Sequence, residues 1–154
     1  MLSVKVIGVG AAGNKAAIRL IEKDIVNRDE VVLFNSTLKD VPAKYKDIAF
    51  QIKGNYQGCG KEREIANEMI YNSLRNGDIN LDTLMKAEDK FVIIATSTEG
   101  GTGSGMSIVI AKYFKEILGI DVHLFGFPGF EDDARGLKNT VDWFKELSPD
   151  FMVE

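Results

Sequence analysis

The sequence predicts an α/β fold built on a doubly wound parallel sheet. Short runs of apolar, largely β-branched residues recur along the chain, and they are too continuous to leave one face in water. Segments with apolar residues at helical spacing separate these runs. Glycine-rich turns follow two of the runs, where strands would give way to helices. This alternation implies crossover units and a three-layer, Rossmann-like domain.

Five apolar runs have the length and composition of buried strands. The clearest are SVKVIGVG at 3–10 and FVIIAT at 91–96, in which β-branched residues are frequent and charges are rare. The predicted strands are 3–10, 31–34, 48–52, 91–96 and 121–127, and FMV at 151–153 begins a sixth.

Four further segments have apolar residues at the 3.6-residue spacing of a helix. They are 14–23, 61–76, 106–118 and the segment that contains Leu137, Val141, Phe144 and Leu147. Gly77 and Gly119 stand where the second and third helices should end, because glycine readily adopts the left-handed conformation of a C-cap. Four large side chains are assigned to helical core stripes and to no site: Met69, Phe114, Trp143 and Phe144.

The composition is that of an ordinary globular domain, and we expect residues 1–154 to form a single one. The chain is 45% apolar, with a formal net charge of -4 and a pI near 5.1. A negative charge disfavours nucleic acid as a direct partner. Cys59 is the one cysteine and cannot form an internal disulfide, and no apolar run is long enough to span a membrane. We therefore expect a cytoplasmic protein without a membrane partner.

The first glycine-rich turn, GVGAAGNK at 8–15, satisfies the G-x-G-x-x-G pattern of dinucleotide sites. That pattern also needs an acidic residue at the end of the second strand to bind the ribose, and Asn35, Ser36 and Thr37 stand there instead. NAD or FAD is therefore disfavoured. A Walker A loop is disfavoured too, because Asn14 separates the last glycine from Lys15 and no Ser or Thr follows that lysine. What remains is a helix N-terminus suited to a phosphate, or tight strand-to-helix packing without a ligand.

The second glycine-rich turn, EGGTGSG at 99–105, again lies between a buried strand and a helix. In a parallel sheet such turns lie at one edge, outside the carboxyl ends of the strands. Two helix N-termini directed at one face can bind two phosphates of one nucleotide, and bare glycine amides allow close approach. The two turns together therefore favour a phosphate-binding cleft.

At this point the sequence resembles the tubulin/FtsZ family, whose signature loop is G-G-G-T-G-S/T-G. This chain departs from it only at Glu99. VIGVGAAGN resembles the family's first phosphate loop, LFNST lies where the family has I-N-T-D, and GCGKEREIA at 58–66 aligns with its third loop, with Arg63 in place of a proline. GFEDDARG at 129–136 is similar to F-E-G-x-x-R. The differences are typical of a remote branch, such as the plasmid and phage filament proteins.

The resemblance implies GTP or GDP as the ligand and leaves Mg²⁺ open as an accompanying ion. It implies that the phosphates are bound by Gly10, Ala11, Ala12, Gly13 and Asn14 together with Gly100, Gly101, Thr102, Gly103, Ser104 and Gly105. Asn14 would lie near the base as well. Gly58, Cys59 and Gly60 would face the terminal phosphate, and Glu131 and Arg135 the ribose and base. Glu99 is expected to face solvent in preference to binding magnesium, because a carboxylate repels phosphates.

No catalytic residue is assigned within the chain. His123 is interpreted as a core or face residue, and Cys59 lacks a histidine partner that would activate its thiol. In the family, an acidic loop of the neighbouring subunit completes hydrolysis, and we expect that loop, the central helix and the C-terminal domain to be absent from residues 1–154. The sequence then predicts the nucleotide-binding domain of a filament-forming GTPase, nearly inactive alone, whose partners are guanine nucleotide and either itself or a full-length filament protein.

Two alternatives remain open from the sequence. A non-hydrolysing regulator or filament cap would need the same phosphate loops. An NAD-binding Rossmann enzyme would bind a dinucleotide in preference to GTP, although the missing acidic residue disfavours it.

Overall fold

The computed structural model describes residues 3–54, 59, 62–128, 134–149 and 151. Five parallel strands form one sheet in the order β3-β2-β1-β4-β5, so the chain crosses from one half of the sheet to the other after β3. The strands are β1 (Val4–Val9), β2 (Val31–Asn35), β3 (Ala49–Gln51), β4 (Phe91–Ser97) and β5 (Asp121–Phe127). The predicted α/β class and the parallel sheet are confirmed.

In the described part of the chain, four α-helices connect or follow the strands. They are α1 (Gly10–Glu22), α2 (Arg63–Arg75), α3 (Gly101–Lys112) and α4 (Ala134–Leu147). Helix α3 continues as a π-helical turn over Tyr113–Ile117, and 3-10 turns cover Arg28–Glu30, Ala43–Ile48 and Leu81–Leu84. Helices α1 and α3 begin several residues earlier than their apolar periodicity predicts, because their first turns consist of glycine and small residues that carry no periodic signal.

Helices cover both faces of the sheet, which is the doubly wound arrangement. On one face, Ala17 and Ile18 of α1 pack against Val6 and Leu33 of the central strands. On the other face, residues of α2 and α3 pack against the alternate residues of the same strands: Ile7, Val9, Ile94, Met69, Ile70, Met106 and Ile110. Both faces of β1 are therefore buried, which explains why its sequence is a continuous apolar run.

The structure corrects two details of the prediction. Strand β3 contains only Ala49–Gln51, since the chain before it forms a 3-10 turn. In α4 three residues of the predicted apolar stripe are on the exposed face: Leu137 is 66% exposed, Val141 42% and Phe144 37%, whereas Leu147 is buried as predicted. The assignment of Phe144 to the core is therefore wrong, whereas Met69, Phe114 and Trp143 are buried as predicted. The predicted strand at 151–153 falls largely outside the described residues.

Polar contacts explain the orientation of α4. Trp143 Nε1 donates a hydrogen bond to Ser107 Oγ at 3.0 Å, and Asn139 Nδ2 donates to the carbonyl of Glu99 at 2.8 Å. A buried polar group without a partner is costly, so these bonds fix which side of the helix faces the core. The face that carries Asn139, Trp143 and Leu147 is buried, and Leu137, Val141 and Phe144 face outward.

One charged side chain is buried within the sheet. Lys5 of β1 is only 4% exposed, and its ammonium donates to the carbonyl of Asp29 at 3.1 Å. Burial lowers the pKa of Lys5 below its usual value, and the nearby Asp89 opposes that shift in part. The folded chain therefore binds this proton less tightly than the unfolded chain, so the protonated lysine lowers stability at neutral pH. This cost disappears as the pH rises above the unfolded value of 10.5.

We predict that Lys5→Met raises the free energy of unfolding at neutral pH by up to about 1 kcal/mol, because it removes a poorly solvated charge and keeps the aliphatic stem. The gain in the free energy of unfolding should shrink as the pH approaches 10.5, the usual pKa of lysine. Urea unfolding at neutral pH and at a pH near 10.5 measures this gain, with Lys90→Met at an exposed lysine as the control. A loss of stability at neutral pH would contradict the prediction.

Candidate functional site

The first turns of α1 and α3 touch at the carboxyl edge of the sheet. Their preceding strands are neighbours, and Val9 of β1 is paired with Thr96 of β4. A Cβ atom built on Gly10 would lie 3.2 Å from both the Cα and the backbone nitrogen of Gly103. The two glycine-rich turns predicted to share one site are therefore in direct contact, and both helix N-termini lie at one edge.

Several glycines of these turns are required by packing. Gly10 has a φ of +78°, which L-residues with side chains rarely adopt. A Cβ on Gly13 would lie 2.1 Å from the carbonyl oxygen of Ala95, and one on Gly103 would lie 2.4 Å from Thr96 Oγ1. These contacts show that the first turn packs tightly between strand and helix, as one of its two interpretations requires. Close packing does not account for Gly100 of the second turn, where a Cβ would have one neighbour among the described residues, at 4.0 Å.

Both helices begin without a side-chain cap among the described residues, and neither has an acidic residue in its first turn. The amides of a first helical turn have no partner inside the helix, and they carry the positive end of the helix dipole. Ala11 and Ala12 are exposed and Gly100 and Thr102 are half-buried, whereas Gly10, Gly101 and Gly103 are buried. Both N-termini are therefore reached from solvent only beside the first four of these residues. This arrangement can bind an anion with two or more negative groups.

Polar side chains from α1 and from the carboxyl ends of β2 and β3 border the same edge. Ser36 Oγ lies 3.4 Å from Thr102 Oγ1, and Gln51 Nε2 donates to the carbonyl of Ser36 at 3.2 Å. Asn14 Nδ2 donates to the carbonyl of Phe34 at 3.3 Å, while Asn14 Oδ1 is buried and has no hydrogen-bond partner among the described residues. A buried acceptor of this kind fits a ligand that supplies an N–H or O–H donor.

The side chains of the second turn point in different directions. The hydroxyl of Ser104 is fully buried and donates to the carbonyl of Gly100, so it is committed within the turn. The hydroxyl of Thr102 lies at the accessible edge. Glu99 is half-buried, and its carbonyl is held by Asn139 of α4. Of the two hydroxyls predicted to contact phosphate, Thr102 is therefore the better placed.

The third predicted loop is described only in part. Gly58, Gly60 and Glu131 lie outside the described residues. Cys59 is buried, and its Sγ lies 3.8 Å from Met69 Sδ in the core, so its thiol faces away from solvent. Arg135, in the first turn of α4, lies 3.7 Å from the carboxylate of Glu62, beside this loop. His123, interpreted as a core or face residue, is exposed and packs edge-on against Phe91.

Two absences concern the described part of the chain only. None of its helices has the length and apolar character needed to cross a membrane. No group of three or more His, Cys, Asp or Glu side chains in it could hold a metal ion.

Comparison with known proteins agrees with this geometry. The sequence model described as Tubulin/FtsZ family, GTPase domain, matches residues 3–151. The chain belongs to the tubulin/FtsZ family. This assignment accounts for the order of the glycine-rich loops, and the family's ligand is a guanine nucleotide.

The chain aligns with only part of the length of each curated relative. The chain is 33% identical over 161 residues to the cell division protein FtsZ of Aquifex aeolicus, covering 97% of this chain and 41% of that protein. It is 27% identical over 148 residues to FtsZ of Mycoplasmopsis pulmonis, covering 94% and 36%. This member of the tubulin/FtsZ family thus spans less than half the length of the curated relatives it matches.

Solved structures of tubulin/FtsZ relatives share the fold. CetZ2 from Haloferax volcanii, in a GTPγS-bound protofilament, superimposes with a TM-score of 0.80 at 23% identity, covering 96% of this chain and 46% of that one. A GDP-bound phage tubulin, PhuZ, gives 0.78 at 22% identity, covering 96% and 43%. The comparison therefore includes archaeal and phage proteins of the same fold.

Sequence reasoning missed the residues that support the second loop from behind. Asn139 and Thr140 of α4 hold the segment before the loop, and Arg63 of α2 contacts Ser104. Only Arg63 carried a signal, since it replaces a proline of the family pattern. The others are polar residues in a helix, and nothing in a helical period distinguishes a buried asparagine from an exposed one.

We predict that Gly103→Ala lowers the free energy of unfolding by about 1–3 kcal/mol, because the added methyl would overlap buried Thr96 and press on the carbonyls of Val9 and Ser97. Gly100→Ala is the matched control in the same turn: its φ of -75° suits alanine, and its surroundings are open. Its effect should stay within about 0.5 kcal/mol. Denaturant unfolding of the nucleotide-free chain measures both, and equal effects would contradict the close packing of Gly103 against the ends of β1 and β4.

Proposed function

We propose that the chain binds GTP and GDP at the edge where α1 and α3 begin, as the nucleotide-binding domain of a filament-forming GTPase. The observation that carries the proposal is the contact between the two uncapped helix N-termini at Gly10 and Gly103. Two such N-termini side by side suit adjacent phosphates of one nucleotide. Family membership supports guanine as the base.

The residues fit a nucleotide in two further respects. Thr102 offers a hydroxyl beside the amides of α3, and Asn14 offers a buried acceptor that lacks a partner among the described residues. Helix amides and hydroxyls favour negative charge on phosphate oxygens, and a bound nucleotide would supply that charge. In this proposal Ala11, Ala12, Gly13 and residues 100–105 line the phosphates, and Arg135 lies toward the ribose.

Calorimetric titration with GTP, GDP, ATP and NAD, each with and without Mg²⁺, tests the proposal. We expect GTP and GDP to bind more tightly than ATP and NAD, and to raise the unfolding temperature of the chain. Tighter binding of NAD would favour the dinucleotide enzyme, and absence of GTP binding would overturn the proposal.

Removal of one hydroxyl group tests whether a phosphate lies beside Thr102. Thr102→Val keeps the shape of the side chain and removes its donor, so the Kd for GTP and GDP should rise about tenfold through loss of a hydrogen bond to a charged group. Thr83→Val is the control, because Thr83 is exposed on a 3-10 turn and bonds only the carbonyl of Asn80. An unchanged Kd for Thr102→Val would argue against a phosphate at this position.

We further propose that assembly is needed for turnover. Relatives of the same fold are described as a protofilament and as a filament, and no general base aimed at a terminal phosphate was identified in the sequence. Phosphate release by the 154-residue chain alone should therefore stay near background. Sedimentation with GTP, alone and with a full-length relative, separates a bare domain, which leaves filaments unchanged, from a cap, which shortens them. Rapid hydrolysis by the monomeric chain would contradict this proposal.

A further inference from the structure

Arg63 is a buried cation directly behind the second glycine-rich turn. It begins α2 and is only 6% exposed. Its Nε donates to Ser104 Oγ at 3.2 Å, and one terminal nitrogen donates to the Ser104 carbonyl at 3.3 Å. The guanidinium therefore holds both the hydroxyl and the carbonyl of one residue near the start of α3.

The same guanidinium is fixed from its other side. Its two terminal nitrogens donate to the two carboxylate oxygens of Glu146, at 2.7 and 2.9 Å, in a bidentate pair with the last turn of α4. Arginine forms such a planar fork and lysine does not. Glu146 thus sets the plane in which Arg63 presents its remaining donors to Ser104.

The hydroxyl of Ser104 links Arg63 to the start of the turn through two hydrogen bonds. It accepts from Arg63 and donates to the carbonyl of Gly100, the residue that precedes α3. Close packing supports the same geometry, since a Cβ on Gly105 would lie 2.5 Å from the carbonyl oxygen of Arg63. Asn67, one turn along α2, donates to the carbonyl of Gly105 at 3.0 Å. The N-terminal turn of α3 is therefore held against α2 by side chain and backbone together.

We propose that Arg63 is a positioning residue of the nucleotide site: by holding Ser104, whose own N–H donates to the Gly100 carbonyl at 3.2 Å, it fixes the open amides of 101–103 in the orientation that binds phosphate, and Glu146 orients it for that task. This inference rests on the proposed function. It assigns a role to the residue that departs from the family's third-loop pattern, where a proline could make none of these bonds. Arg63 acts from the far side of the turn through Ser104, and in this proposal it does not touch the nucleotide.

The test compares the full chain carrying Arg63→Met, Arg63→Lys or Arg75→Met. Arg75 is the matched control: it lies in the same helix, is exposed, and stacks on Tyr71 with 4.9 Å between its guanidinium carbon and the ring centre. Arg75→Met therefore removes the same charge without touching the turn. The Kd for GTP and GDP is measured by calorimetry well below each variant's unfolding temperature, and amide hydrogen exchange of 101–105 is measured without nucleotide.

We expect Arg63→Met to raise the Kd for both nucleotides about tenfold, equal to about 1.4 kcal/mol, and to speed exchange at 101–105. Arg63→Lys should change both quantities in the same direction but less, because an ammonium keeps the charge and loses the fork. Arg75→Met should leave both unchanged. Should Arg63→Met fail to fold, Arg63→Lys carries the comparison.

Three results would overturn the inference: folded Arg63 variants with the wild-type Kd, an Arg63→Lys variant equal to wild type in Kd and exchange, or an equal effect from Arg75→Met. The first would mean that Arg63 stabilises the fold and nothing more. Absence of nucleotide binding by the wild-type chain is a different outcome, which overturns the proposed function. In that case faster exchange at 101–105 in Arg63→Met still supports the part of the inference that concerns the turn, and unchanged exchange overturns it.

Discussion

The backbone contact between the first turns of α1 and α3 is the constraint on which the rest of the site depends. A Cβ on Gly10 or Gly103 would intrude on the opposite turn or on the strand ends beneath it. Because both turns leave neighbouring strands at the same edge, this contact brings two helix dipoles to one place. Parallel pairing of β1 with β4 is what makes the contact possible, since antiparallel neighbours would send the helices to opposite edges.

Helices α2 and α4, which lie behind the site, hold the first turn of α3 in place. Helix α4 holds the segment before α3 through Asn139, and its last turn holds Arg63 through Glu146. The donors Asn139 and Arg63 are buried, although Glu146 is exposed, and for a buried donor an unmade bond costs more than a made bond gains. The consequence is visible on the opposite side of α4, where Leu137 and Val141 are left exposed. Polar anchoring therefore outweighed apolar periodicity in orienting this helix.

Much of the fold followed from patterns that are local in the chain. Strand positions were predicted within a few residues, because a sheet covered on both faces requires continuous apolar runs. The two glycine-rich turns were recognised because glycine is conspicuous wherever backbones approach closely. Helix starts at Gly10 and Gly101 were misplaced, since helical periodicity is a property of side chains and these turns have few. The direction of the Ser104 hydroxyl and the role of Arg63 were outside the reach of any such pattern.

The sequence by itself determined the class of this protein, the order of its strands and helices, and the identity of the loops that resemble tubulin/FtsZ phosphate loops. It could do so because apolar periodicity and the positions of glycines are local patterns, each visible within a short segment of the chain. Only the tertiary structure decided that the two turns touch, that the Cys59 thiol faces the core, and that Arg63 reaches Ser104 and Glu146. The physical reason is distance along the chain: Arg63 lies 41 residues from Ser104 and 83 from Glu146, and packing alone brings them together.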